Sequence, residues 1–145
     1  MIDQERDWSK IKHFKKSEWK KDPDKVEWSV IELADEMRSA AGKPILIHVA
    51  WDDAGHVQDS THFGIATGFD FHFVGMTLLE QWLFAERFPW MGIGIYPYWN
   101  NPGLHCDLRS LTEHANLGRR WWRDAAGHYK SLDREIIKIL LAQEP

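Results

Sequence analysis

The chain has 145 residues, enough for one domain with a sizeable core. Its 43% hydrophobic and 28% charged content is globular and excludes a disordered chain. The net charge of −4 argues against a nucleic-acid partner, the single cysteine, Cys106, excludes an internal disulfide or a zinc site built on several cysteines, and no apolar run approaches the roughly 20 residues that cross a bilayer.

The start, MIDQERDWSK, is charged and has no apolar signal core. The expectation is therefore cytoplasmic synthesis without a secretion signal, with separate delivery if the substrate lies outside the membrane. Residues 1–21 are polar with scattered aromatics (Trp8, Phe14, Trp19) and read as an irregular arm or short helix packed on the body. Their lysines are interleaved with Glu18, Asp22 and Asp24, the pattern of a solvated face. Asp22-Pro23 predicts a helix start, with Asp22 as N-cap and Pro23 in the first turn. Val26, Val30, Leu33, Met37 and Ala41 share one face of that helix, and Gly42 ends it.

Pro44 to Trp51 is a short branched apolar run, expected as a buried strand. The segment 52–60 is polar and loop-like. Phe69 to Phe73 alternates strictly, which puts the aromatics on one side of a strand and Asp70 and His72 on the other. Met76 to Phe88 predicts a helix stopped by Pro89. Met91 to Tyr96 and Leu104 to Arg109 predict strands joined by a Pro/Asn/Gly turn. Arg119 to Arg123 is basic and aromatic, and Ser131 is expected to cap a last helix, 131–142. The sum is one α+β domain, a small mainly antiparallel sheet with helices packed on it.

Metal-capable side chains concentrate in three places: Ser60-Thr61-His62, Asp70 with His72, and His105-Cys106-Asp107. A catalytic zinc needs three His or carboxylate ligands and an open position for water. Two His and one Asp meet that need, and strands hold such ligands rigidly.

The order of the motifs resembles, over a peptidase-like body at about 10–124, the zinc D-Ala-D-Ala carboxypeptidase and L,D-endopeptidase family, phage and bacterial branch, which shares its fold with the Hedgehog signalling domain. The resemblance is carried by Phe14-Lys15-Lys16-Ser17-Glu18-Trp19, Gly42-Lys43-Pro44-Ile45, Ser60-Thr61-His62 through Asp70, Gly92-Ile93-Gly94-Ile95-Tyr96-Pro97, His105-Cys106-Asp107 and Arg120-Trp121. It implies Zn2+ held by His62, Asp70 and His105, and Ser60 as a donor to substrate. It further implies hydrolysis of a peptide bond in peptidoglycan by metal-activated water, with the stem peptide as partner; the oligomeric state is left open by the sequence, with a monomer as the expectation. Phage encoding or delivery to the wall would follow. Tyr96 and Trp99, with Trp121 and Trp122, are candidates to line the groove for that peptide.

Three positions depart from the family pattern. His62 to Asp70 spans eight positions where the pattern has seven. Either a bulge at Gly68 aims Asp70 inward or His72 takes its place. No Arg follows the first strand, which reads Trp51-Asp52-Asp53. Pro102 stands where relatives carry a Glu base, leaving Asp107 as candidate base or as a group that orients a ligand. Two other readings fit the residues: a catalytically inactive metal-binding module of the same fold, and a non-haem Fe(II) oxygenase using His105, Asp107 and His128.

Overall fold

The computed structural model describes residues 6–51, 66–109 and 117–143. Six strands form one sheet: β1 (Ile45–Val49), β2 (Gly68–Phe73), β3 (Gly92–Tyr96), β4 (Gly103–Asp107), β5 (Arg120–Arg123) and β6 (Tyr129–Ser131). Their spatial order is β1-β2-β4-β3-β5-β6. Every neighbouring pair is antiparallel except β3–β5, which is parallel. Three α-helices accompany the sheet: α1 (Trp28–Ala41), α2 (Leu78–Ala85) and α3 (Arg134–Leu141). The α+β class read from the sequence holds. Among the described residues no helix is long and apolar enough to cross a membrane.

One face of the sheet is the core. Phe69, Phe71 and Phe73 of β2 are buried beside Leu104 and Cys106 of β4, Ile93 and Ile95 of β3, and Trp122 of β5. They form one continuous apolar cluster with Val30, Ile31, Ala34 and Met37 of α1 and Ile136 and Leu140 of α3. The aromatic run in β2 stacks on itself, with Phe69 and Phe71 ring centroids 4.3 Å apart. The N-terminal arm joins the same core through three short 3₁₀ turns (Trp8–Lys10, Lys16–Trp19 and Pro23–Lys25). Trp19 is fully buried, 5.2 Å from both Phe14 and Phe69. Asp35 of α1 fastens the arm by accepting the N–H groups of Lys12 and His13 at 3.0 and 2.8 Å.

Several expected boundaries move, each for a visible reason. The first helix starts at Trp28, not after Asp22. Asp22 caps only a 3₁₀ turn, and Val26 then extends into a parallel bridge with Ala66, held by Glu27 N–H to Ala66 O and Ala66 N–H to Lys25 O, both 2.8 Å. A buried backbone pairing outweighs the local helix signal there. Thr77 and Glu80 form a capping box at the start of α2. The last helix is capped by Asp133, which accepts from Ile136 N–H at 3.1 Å. Ser131 instead closes β6 and donates to Leu117 O at 2.9 Å. Strands β5 and β6 were not among the predicted elements.

Candidate functional site

Alternation in β2 sends Asp70 and His72 to the face opposite the aromatic core. The same rule applied to β4 sends His105 and Asp107 there. The antiparallel register sets Asp70 directly against His105, and His105 against Gly94 of β3. The parallel pairing then sets Gly94 against Trp121 of β5. Residues distant in sequence thus form one row across four strands.

At the centre of this row His105 is clamped between two carboxylates. Its Nδ1 lies 2.8 Å from Asp70 Oδ1 and its Nε2 2.7 Å from Asp107 Oδ2. His105 and Asp107 are buried, whereas the Asp70 side chain keeps 15% exposure and reaches solvent. Burial by itself disfavours a charged imidazole, but the hydrogen bonds to Asp107 and Asp70 outweigh it and raise His105 to about 10. In the metal-free chain the ring is therefore an imidazolium that donates one N–H to each carboxylate. Gly68 makes the clamp possible by close approach: a Cβ there would lie 2.7 Å from Asp107 Cβ and 3.1 Å from His105 Cε1.

No bulge occurs at Gly68, which pairs regularly with Asp107. The register slips instead in the neighbouring strand β1, where Ile47 opposes Phe71 and Val49 opposes Asp70. The extra residue is His48, whose Nε2 meets His72 Nδ1 at 2.7 Å. Burial lowers the pKa of both rings, and His48 is lowered further by its neighbour. They therefore share a single hydrogen bond as neutral imidazoles. His72 is thus engaged with His48, and Asp70, not His72, faces His105.

Asp70, His48 and Val49 line an open cleft of about 290 Å³ together with Trp99, Asn100 and Asn101. Trp99 stacks on Tyr96 at 4.1 Å with planes 11° apart, and the His48 ring meets it, tilted, at 5.0 Å. Tyr96 is 7% exposed, and burial, then the nearby Asp70 charge, pushes its hydroxyl well up, so it remains a phenol. Trp121 and Trp122, expected in the groove, are buried instead. Trp121 packs 5.5 Å from His105, and Trp122 faces the core. Cys106 is buried with its thiol pushed up by burial, which removes it as a nucleophile.

The structure brings together Asp70, His105, Asp107, Tyr96 and Trp99 of the residues singled out from sequence. His62 and Ser60 lie outside the described residues. Asp107 has Oδ2 on His105 and Oδ1 accepting from Arg109 N–H at 3.3 Å, with no solvent access. That is the place of a group that orients His105, one of the two roles the sequence left open. His128 is not joined to His105 and Asp107: it sits in an exposed turn, 3.7 Å from Asp124. Among the described residues, no group of three His, Cys, Asp or Glu side chains is arranged so as to hold a metal ion. The His48–His72 pair escaped sequence reading because its cause is a strand irregularity. The one available signal was that both histidines belong to segments read as strands.

The chain matches no family model, no curated protein and no solved structure.

Proposed function

We propose that the chain is a zinc-dependent hydrolase of peptide bonds in peptidoglycan, of D,D-carboxypeptidase or L,D-endopeptidase type and Hedgehog/DD-peptidase-like fold. The observation that carries the reading is the Asp70–His105–Asp107 clamp, whose Asp70 lines an open cleft. Its imidazole and carboxylate donors are of the types that hold zinc. With Nε2–H held on Asp107, a His105 that loses its other proton presents the Nδ1 lone pair beside Asp70 Oδ1, an arrangement in which an outer carboxylate fixes a ligating imidazole. Asp70 and His105 would hold the ion, with His62 as third ligand by the sequence motif. Zinc, when bound, supplies a Lewis acid and lowers the pKa of water to near 7.

The chain's own residues do the rest. Asp107 keeps His105 in one tautomer and one orientation. The Trp99 ring and the Asn100 and Asn101 side chains border the cleft, where a peptide's flat amides can stack and hydrogen-bond. The β2–β4 ladder fixes the Asp70–His105 distance, so the two ligands need little rearrangement.

The test loads the purified protein with zinc, measures retained metal, and follows fragments released from cell-wall sacculi. Retained metal and release are expected in the wild type, with both lost in Asp70→Ala and His105→Ala. If no metal is retained, the reading fails. Metal without release favours an inactive metal-binding module, a reading supported by the burial of Asp107, which leaves it unable to serve as a base.

A further inference from the structure

A second pocket, of about 270 Å³, lies beside the cleft and is lined by Tyr96, Tyr98, Trp99, Arg123, Asp124 and Gly127 among others. Trp99 is a wall of both. The second pocket is built around Arg123, at the end of β5. Its guanidinium lies across the turn that leads to β6, 5.5 Å from the Tyr129 ring centroid, with Nε donating to Gly127 O at 3.4 Å. Gly127 has φ +84°, and a Cβ there would sit 3.1 Å from Arg123 Nη2. The turn therefore supplies both the backbone conformation and the space for the flat guanidinium.

Among the described residues Arg123 pairs with no carboxylate. The acid nearest in sequence, Asp124, also lines the pocket, but its carboxylate is engaged elsewhere. It accepts the N–H groups of Ala126 and His128 at 3.0 and 2.8 Å and pairs with Lys130 Nζ at 3.0 Å. The pocket thus offers a seated planar cation with free donors, against stacked aromatic rings.

We propose that this pocket binds a carboxylate of the peptide substrate, with Arg123 as its fork-shaped partner. The identification of the ligand as a peptide rests on the function proposed above. An arginine fork matches a carboxylate in geometry as well as charge. The position also fixes where on the substrate the carboxylate lies. Asp70, His105, Gly94 and Trp121 stand side by side across four strands, and Arg123 is two residues past Trp121. At ~4.8 Å between strands and ~3.3 Å per residue, the two backbones are roughly 16 Å apart. The arginine side chain spans part of that gap. About two to three extended residues fill the rest. The recognised carboxylate is therefore not that of the residue next to the scissile bond. It is either a chain terminus farther along or the free carboxylate of the γ-linked stem-peptide glutamate.

The experiment measures equilibrium binding to the full chain by calorimetry, first stripped of metal so that no turnover intervenes, then zinc-loaded. Three synthetic stem peptides are compared: one with all carboxylates free, one amidated at the C-terminus, and one amidated at the glutamate's free carboxylate. One of the two amidations is expected to weaken binding by about tenfold, the size of a lost charge-assisted hydrogen bond, and which one it is identifies the carboxylate. Arg123→Ala is expected to erase that difference, and Arg123→Lys to recover only part of it, with melting temperature unchanged. Equal binding of all three peptides to the wild type, no binding of any, or discrimination that survives in Arg123→Ala would overturn the proposal. If Arg123-dependent discrimination persists while zinc retention and hydrolysis fail, the pocket stands and the hydrolase reading falls. If hydrolysis occurs without discrimination, the reverse holds.

Discussion

His105 has two carboxylate neighbours of different character. Asp70 reaches the cleft, while Asp107 is sealed beneath the ring. The two bonds therefore have separate jobs, one aimed at a ligand and one at orientation. Asp107→Asn preserves shape but removes the negative acceptor that fixes the ring. If His105 holds zinc as proposed, the affinity is expected to fall by roughly 10- to 100-fold, the usual loss when an outer partner of a metal-binding histidine is altered. Competition with a chromophoric chelator measures it, and unchanged affinity would mean that Asp107 does not orient the ligand. His48 and His72 show a different residue-level economy. Each satisfies the other's ring nitrogen, so neither needs a charge.

At the scale of elements, the site depends on how closely β2 and β4 approach. Gly68 opens β2 where the side chains of β4 cross it, and the obstacles to a Cβ are Asp107 Cβ at 2.7 Å and the Cys106 carbonyl oxygen at 2.8 Å. Neither is the mobile end of a side chain. Gly68→Ala is expected to destabilise the fold by about 1–3 kcal/mol through overpacking. Denaturant melts read that loss, and a neutral result would mean that the ladder yields without cost. Alternation made much of this pair of strands legible beforehand. Phe69-Asp70-Phe71-His72-Phe73 can be read directly as an inner and an outer face, and His105-x-Asp107 as two groups on one face. The parallel β3–β5 pairing was not legible. Arg120-Trp121-Trp122-Arg123 carries no two-fold alternation of polarity, because Trp121 and Trp122 are both buried, one on each side of the sheet. Arg123 could not be placed from sequence for the same reason: its role depends on a strand whose period is hidden. The start of α1 was misplaced because Val26 answers to a distant partner, Ala66.

For the molecule as a whole, the buried charge ties stability to pH. His105 is raised to about 10 from an ordinary 6.5, against its burial and by its bonds to Asp107 and Asp70. A group whose folded pKa is raised contributes stability that is complete below its unfolded pKa and is lost as pH climbs through the folded one. The metal-free protein is therefore expected to lose melting temperature from about pH 6.5 towards pH 10. His105→Gln should flatten that part of the profile, and thermal melts across the range compare the two. A wild type with no more slope than His105→Gln would mean that the ring is neutral.

The strand order has a consequence in time. β2 and β4 are neighbours in space, yet α2 and β3 lie between them in the chain. The Asp70–His105 pair therefore cannot exist in any hairpin formed early, and its closure must wait for a non-local contact, the slow kind in folding. During synthesis, no ribosome-bound fragment ending before Asp107 contains the clamp. If the site holds the proposed zinc, its selection belongs to the finished fold and not to the nascent chain.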